Sequence, residues 1–122
     1  MVDLDPESGV GEIAAFSRFA RHTEANLREN ACFALLASRT WGDHRSVQIK
    51  GRCTELRGVV RDPSRVAGPL NALADALLSF GLPFETTEKT RNIAGEPYQS
   101  VRVQVDEVYD QTPGPGAGRR LP

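Results

Sequence analysis

Residues 45–56 read RSVQIKGRCTEL. Val47, Ile49 and Cys53 point one way along an extended chain, and Ser46, Gln48, Lys50, Arg52 and Thr54 the other. That period of two predicts a strand with one face in a core. Gly51 interrupts the apolar side, and a glycine in mid-strand marks a bulge or a close backbone approach. Just upstream, TWGDH (40–44) carries turn chemistry in Gly42 and Asp43. Before it, ACFALLAS (31–38) is short and continuously apolar, which predicts a buried strand.

Downstream, Asp62-Pro63 offers an N-cap acid followed by proline at the first helical position. Val66, Leu70, Leu73, Leu77 and Leu78 then form one apolar stripe, with a kink or break expected at Gly68-Pro69 and an end at Gly81 and Pro83. Leu73 and Leu77 are expected to cover an open side of the sheet. Residues 84–97 read as irregular or partly helical. The run QSVRVQVDEVYD (99–110) alternates again, with Val101, Val103 and Val105 toward the core, and slips at Glu107-Val108 as a bulge would make it do. Toward the start, Ile13–Phe16 suit a strand, and Ser17–Asn30 put Phe19, Thr23, Asn26 and Leu27 at helical spacing. Residues 1–10 and 112–122 carry no periodicity and are expected to be flexible.

The order is therefore β–α–β–β–α–β in a single domain spanning 1–122. The expected class is α+β, mainly β, with antiparallel strands and two helical segments. A ferredoxin-like sandwich and a partial β-barrel both fit that order, and the pattern leaves both open.

With 122 residues, 39% hydrophobic and 25% charged, the chain can build a core without disulfides or metal. The net charge of -1 provides no field favouring nucleic acid or an anionic membrane. There is no apolar run of about 18 residues, and the acidic start MVDLDPESGVGE is unlike a secretory leader. The expected location is the cytoplasm. Cys32 and Cys53 are expected as buried free thiols. The two histidines and two cysteines lack the spacing of a zinc site or a catalytic triad, and no metal is expected. GPGAG follows a strand with no helix after it, so it is not a dinucleotide fingerprint.

Three segments together resemble the FMN-binding split barrels related to pyridoxamine 5′-phosphate oxidase: SRFARHTEANLREN, HRSVQIKGRCTEL and VDEVYDQTPGPGAGRRL. The resemblance covers roughly residues 12–120 and implies a partial split β-barrel, bound FMN, and a homodimer with the flavin at its two-fold interface. It also implies a flavin-dependent oxidoreductase acting on an unidentified small molecule. By this resemblance, Arg18, Arg21, His22 and Thr23 serve the FMN phosphate, which takes Arg, Lys and hydroxyl donors and helix N-terminal amides. Arg45, Ser46 and Gln48 fall at the flavin-ring positions of the central strand, where polar groups tune the ring without doing its chemistry.

The family-like sequence starts only at Ile13, and two strands with a basic pair usually precede it. The chain thus reads as a shortened member, with FMN expected to bind weakly or not at all. The alternative is a cofactor-free barrel acting as a binding or structural module; a ferredoxin-like interaction module is a third, weaker reading. No catalytic residue is assigned. Trp41 could stack on a ring or plug a core. His44 has no carboxylate partner in the sequence and reads as a turn residue, and Asp110-Gln111 and Arg119-Arg120 either cover a partner subunit or fray.

Overall fold

A computed structural model describes residues 2–39 and 42–122. Its backbone is one antiparallel sheet of six strands: β1 (Val2–Leu4), β2 (Val10–Phe16), β3 (Cys32–Ser38), β4 (Ser46–Val60), β5 (Tyr98–Asp110) and β6 (Arg120–Leu121). The order across the sheet is β1-β2-β5-β4-β3, and β6 pairs with the free edge at the end of β5. Helix α1 (Arg21–Glu29) joins β2 to β3, while α2 (Ala67–Ser79) and α3 (Phe84–Asn92) lie between β4 and β5. This is the α+β, mainly β architecture the strand periodicity predicts. No helix is long and apolar enough to cross a membrane among the described residues.

The strand order decides between the two topologies left open by the pattern. In a split βαβ unit the two strands flanking the helix run parallel with one strand between them. Here β2 and β3 flank α1 but are separated by both β5 and β4, and every neighbour is antiparallel. So β2 and β3 run in opposite directions, and the ferredoxin-like reading does not hold.

The long β4–β5 ladder is the spine. Its register shifts at Lys50/Gly51, at Cys53/Glu55 and at Leu56/Gly58. The first is the irregularity that Gly51 announces: a Cβ there would run into the Gln104 carbonyl, so only glycine lets the two backbones approach. The slip on β5 falls at Asp106, which has no partner between Val105 and Glu107, one residue before the expected place. Ile13, Val101, Val103, Cys53 and Ile49 share one face through these registers. Val103 is 1% exposed and Val101 and Ile49 are also buried, whereas Val47, Cys53 and Val105, expected in the core, are half-buried.

Several local expectations change. Residues 1–10 are not loose: β1 pairs with β2 in a hairpin whose turn is held by Asp5, which accepts from the Glu7 amide and the Ser8 hydroxyl. The tail is likewise tied in, with the Asp110 amide donating to the Arg119 carbonyl and Gln111 to Ser46 before β6 pairs. β3 is not buried throughout but alternates exposed and half-buried, because it ends the sheet and one of its faces is open. Cys32 is therefore exposed and Cys53 half-buried.

There are three α-helices rather than two helical segments. Asp62 caps a 3-10 turn over Pro63–Arg65, accepting from the Ser64 amide, and the break comes at Val66. Pro69 sits in the first turn of α2, where a missing N–H removes no helical bond, so it forces no kink. Gly81, at φ 87°, ends α2. The expected stripe is covered only in part: Val66 is buried and Leu70 and Leu77 half-buried, but Leu73 is 36% exposed and Leu78 is also exposed, while Ala74 and Ala76 are buried. Arg91 of α3 reaches Asn71 and Asp75 on the neighbouring turns of α2, so the helices meet along small residues, Ala74 and Thr87.

Candidate functional site

Helix α1 gathers the phosphate-side candidates. Arg21, His22 and Thr23 form its first turn, all exposed, and Ala20 provides no side-chain cap, so the first amides of the helix are open. Arg18 is not part of that free group, since it pairs with Glu96 at 3.1 Å and lies over the Phe19 ring. Arg21 and His22 make no side-chain hydrogen bond or ion pair with any described residue.

The ring-side candidates sit at the start of β4. Ser46 Oγ donates to Ser38 Oγ at 2.9 Å, and the Ser46 amide donates to the Thr112 hydroxyl at 3.2 Å. Gln48 is half-buried, and its amide side chain has no partner among the described residues. The register places it between Leu36 and Tyr109. The Arg45 side chain has no ion pair among the described residues; hydrogen bonds from Thr112, then the charges of Arg119 and Arg45, hold the Asp110 carboxyl below the usual range. His44 is exposed in a turn at φ 50°, and Trp41 lies outside the described residues.

These two groups lie at opposite ends of the spine. α1 leaves β2 at Phe16, which pairs with Tyr98, while Ser46 flanks Asp110 at the far end of the same 13-residue strand. An extended strand of that length spans roughly 40 Å, longer than an FMN. A single chain does not bring the groups together.

The outer face of the sheet explains why the second group is open. At the Tyr98 end it faces the helical layer, across a cavity of about 360 Å³ between Glu12, Ala14 and Tyr98 on the strands and Arg65 and Val66 beyond. At the other end no helix among the described residues is placed over it. Leu36, Gln48, Tyr109 and Arg120 form a row across four strands, and Leu36 is 62% exposed.

Two further polar clusters escaped the sequence reading. Glu12 on β2 accepts from Ser100 Oγ at 2.6 Å and from Arg65 at 3.0 Å, with Arg57 at 3.6 Å. Its carboxyl is held below the usual range by the Ser100 hydroxyl first, then by the two arginines. On the open face, Lys50 Nζ lies 4.8 Å from the Tyr109 ring centre, and Glu107 accepts from Tyr109 and pairs with Arg120. Lys50 shares the strand face of Gln48, two residues on, which is the only sequence signal that pointed to it. No group of three or more metal-ligating side chains is found among the described residues. Comparison with known protein families, with curated proteins and with solved structures yields no match to this chain.

Proposed function

We propose that two copies of this chain form a two-fold dimer that binds FMN between them, as a cytoplasmic flavin-dependent oxidoreductase related to pyridoxamine 5′-phosphate oxidase. One observation carries this reading. The phosphate-side and ring-side candidates form two groups at opposite ends of the spine, each with an exposed arginine, Arg21 and Arg45, that has no carboxylate partner among the described residues. A two-fold axis can bring one group from each chain together where a single chain cannot.

The amount of surface supports the dimer. A compact protein of 13.3 kDa exposes about 6,400 Å², and this chain exposes 8013 Å². The excess, roughly 1,500 Å², exceeds the area each partner gives to a standard interface, about 800 Å². Helix α1 has no buried residue at all, and on the open sheet face Leu36 is 62% exposed beside the Tyr109 ring, apolar surface that a partner would cover.

The residues suit the cofactor by chemical type. Arg21 and Thr23 can donate to a phosphate beside the open amides of α1, and the free amide of Gln48 can hydrogen-bond a ring carbonyl or nitrogen. Bound there, FMN would supply the electron transfer, while these side chains bind, orient and tune it. Leu36 and the partner's surface would keep water from the ring.

The test is complementation. Arg21→Ala and Gln48→Ala chains are mixed by unfolding and refolding together, and FMN binding is measured by flavin fluorescence. A site shared between chains gives mixed dimers with one intact site of two; mixed dimers make up half of a random refold, so binding recovers toward a quarter of the wild-type stoichiometry. No recovery, or binding by either variant at wild-type strength, overturns the proposal.

A further inference from the structure

We infer that the open end of the sheet holds a binding site for a small organic carboxylate, with Lys50 as its counter-ion. The inference stands on the geometry around Lys50, whether or not a flavin binds.

Two depressions meet there. One of about 430 Å³ is lined by Cys32, Phe33, Lys50, Arg52, Glu107 and Arg120 among others. The second, of about 530 Å³, abuts it at Asp106, Glu107 and Arg120 and continues under Val108 and Leu121. The charges in the first do not cancel. Arg52 pairs with Asp106 at 3.2 Å and Arg120 with Glu107 at 3.3 Å. Lys50 stands opposite Glu107 in the ladder, yet that carboxylate is taken by Arg120 and by the Tyr109 hydroxyl. Among the described residues no carboxylate lies in ion-pair reach of Lys50, which rests on the Tyr109 ring instead.

The result is an ammonium on a half-buried lysine, resting on an aromatic face at the wall of an open depression with one unmatched positive charge. An ammonium so placed favours an anion over a neutral molecule of the same shape. The unmatched charge is single, so the ligand is a monoanion. On the same face, Leu36 and the Tyr109 ring offer surface for an apolar or aromatic body behind the carboxylate. The volume admits a small molecule and not a polymer.

Benzoate and its neutral isostere benzamide are the probes, each titrated into flavin-free protein by equilibrium dialysis. The expected result is one benzoate per chain, bound at least tenfold more tightly than benzamide. Lys50→Gln should abolish that preference and Lys50→Arg should keep it. Glu107→Gln, which frees Arg120 as a second cation, should strengthen benzoate binding several-fold, a gain that a misfolded variant cannot give. Equal binding of the two probes to the native chain, no binding of either, or a preference that survives Lys50→Gln would overturn the inference.

Discussion

Arg65 grips Glu12 with two guanidinium nitrogens, at 3.0 and 3.4 Å, across 53 residues of sequence. The contact ties the 3-10 turn that starts the helical layer to the second strand of the sheet. Ser100 of β5 and Arg57 of β4 reach the same carboxylate, so one side chain joins three strands and the helical layer.

That joint makes stability depend on pH. The folded protein holds the Glu12 carboxyl below its ordinary value of 4.5, through Ser100 first and then the arginines. A depressed folded value means the stabilisation is fully present above the unfolded value and is lost as pH falls through the folded one. Glu12→Gln should cost about 1–2 kcal/mol at pH 7 and progressively less as pH falls below 4.5. Urea unfolding across that range checks it; an unchanged pH slope in the variant would place the dependence elsewhere.

The core assignment predicts a contrast between two positions. Val103 is 1% exposed, and Leu73, despite its place in the apolar stripe, is 36% exposed. Val103→Asp would bury an unpaired charge and should leave the chain unfolded at 37 °C. Leu73→Ala should cost less than about 1 kcal/mol. Circular dichroism melts of the two variants decide the point, and similar losses would contradict the facing of α2.

Gly51 offers a test of the close approach in the spine. Gly51→Ala would push a methyl group into the Gln104 carbonyl, in a ladder with backbone on both sides. A loss of about 2–4 kcal/mol is expected, in the range for overpacking and backbone strain. Gly42→Ala places its Cβ in open space, though at φ 80°, and should cost about 1 kcal/mol from backbone strain alone. If the Gly51 substitution is the milder one, the strands do not pass as closely as described.

Dimer formation is checked by light scattering. The expected species at micromolar concentration has twice the mass of 13.3 kDa. Leu36→Glu, on the open face, should shift it to monomer with little change in helix and strand content. A clean monomer in the native chain would remove the dimer from the proposal.

Arg21→Ala addresses the phosphate side of the proposed flavin site. FMN affinity should fall about tenfold or more, as expected for one charge-assisted bond. Riboflavin, which lacks the phosphate, should bind as before. Equal losses for both would put Arg21 away from the phosphate.

The strands were legible because one face of each is apolar, and Gly51 marked its own bulge. What could not be read was partnership. Nothing near Gln48 in the chain announces Tyr109, and nothing near Glu12 announces Ser100, since these neighbours arise only when distant strands pair. The buried run expected at 31–38 failed for the same reason: continuous apolar sequence does not say that the strand ends the sheet. The leucine stripe of α2 misled in part because α2 and α3 approach through alanine and threonine, which periodicity of large residues does not weigh. The candidate residues could be named from sequence, but their separation along the spine appeared only with the register.

The register also sets the order in which the molecule can come together during synthesis. β3 and β4 are neighbours in sequence and can pair as soon as they leave the ribosome. β2 emerges earlier, yet its partner is β5, with Val10 opposite Gln104 and Phe16 opposite Tyr98. Although β1 can pair with one edge of β2 at once, the other edge must wait until nearly the whole chain has been translated. Pairings so far apart in sequence form slowly and expose strand edges meanwhile. A nascent chain stalled before residue 98 should therefore bind holding chaperones through the open edge of β2, and the yield of folded protein should depend on how fast translation runs through the helical insertion.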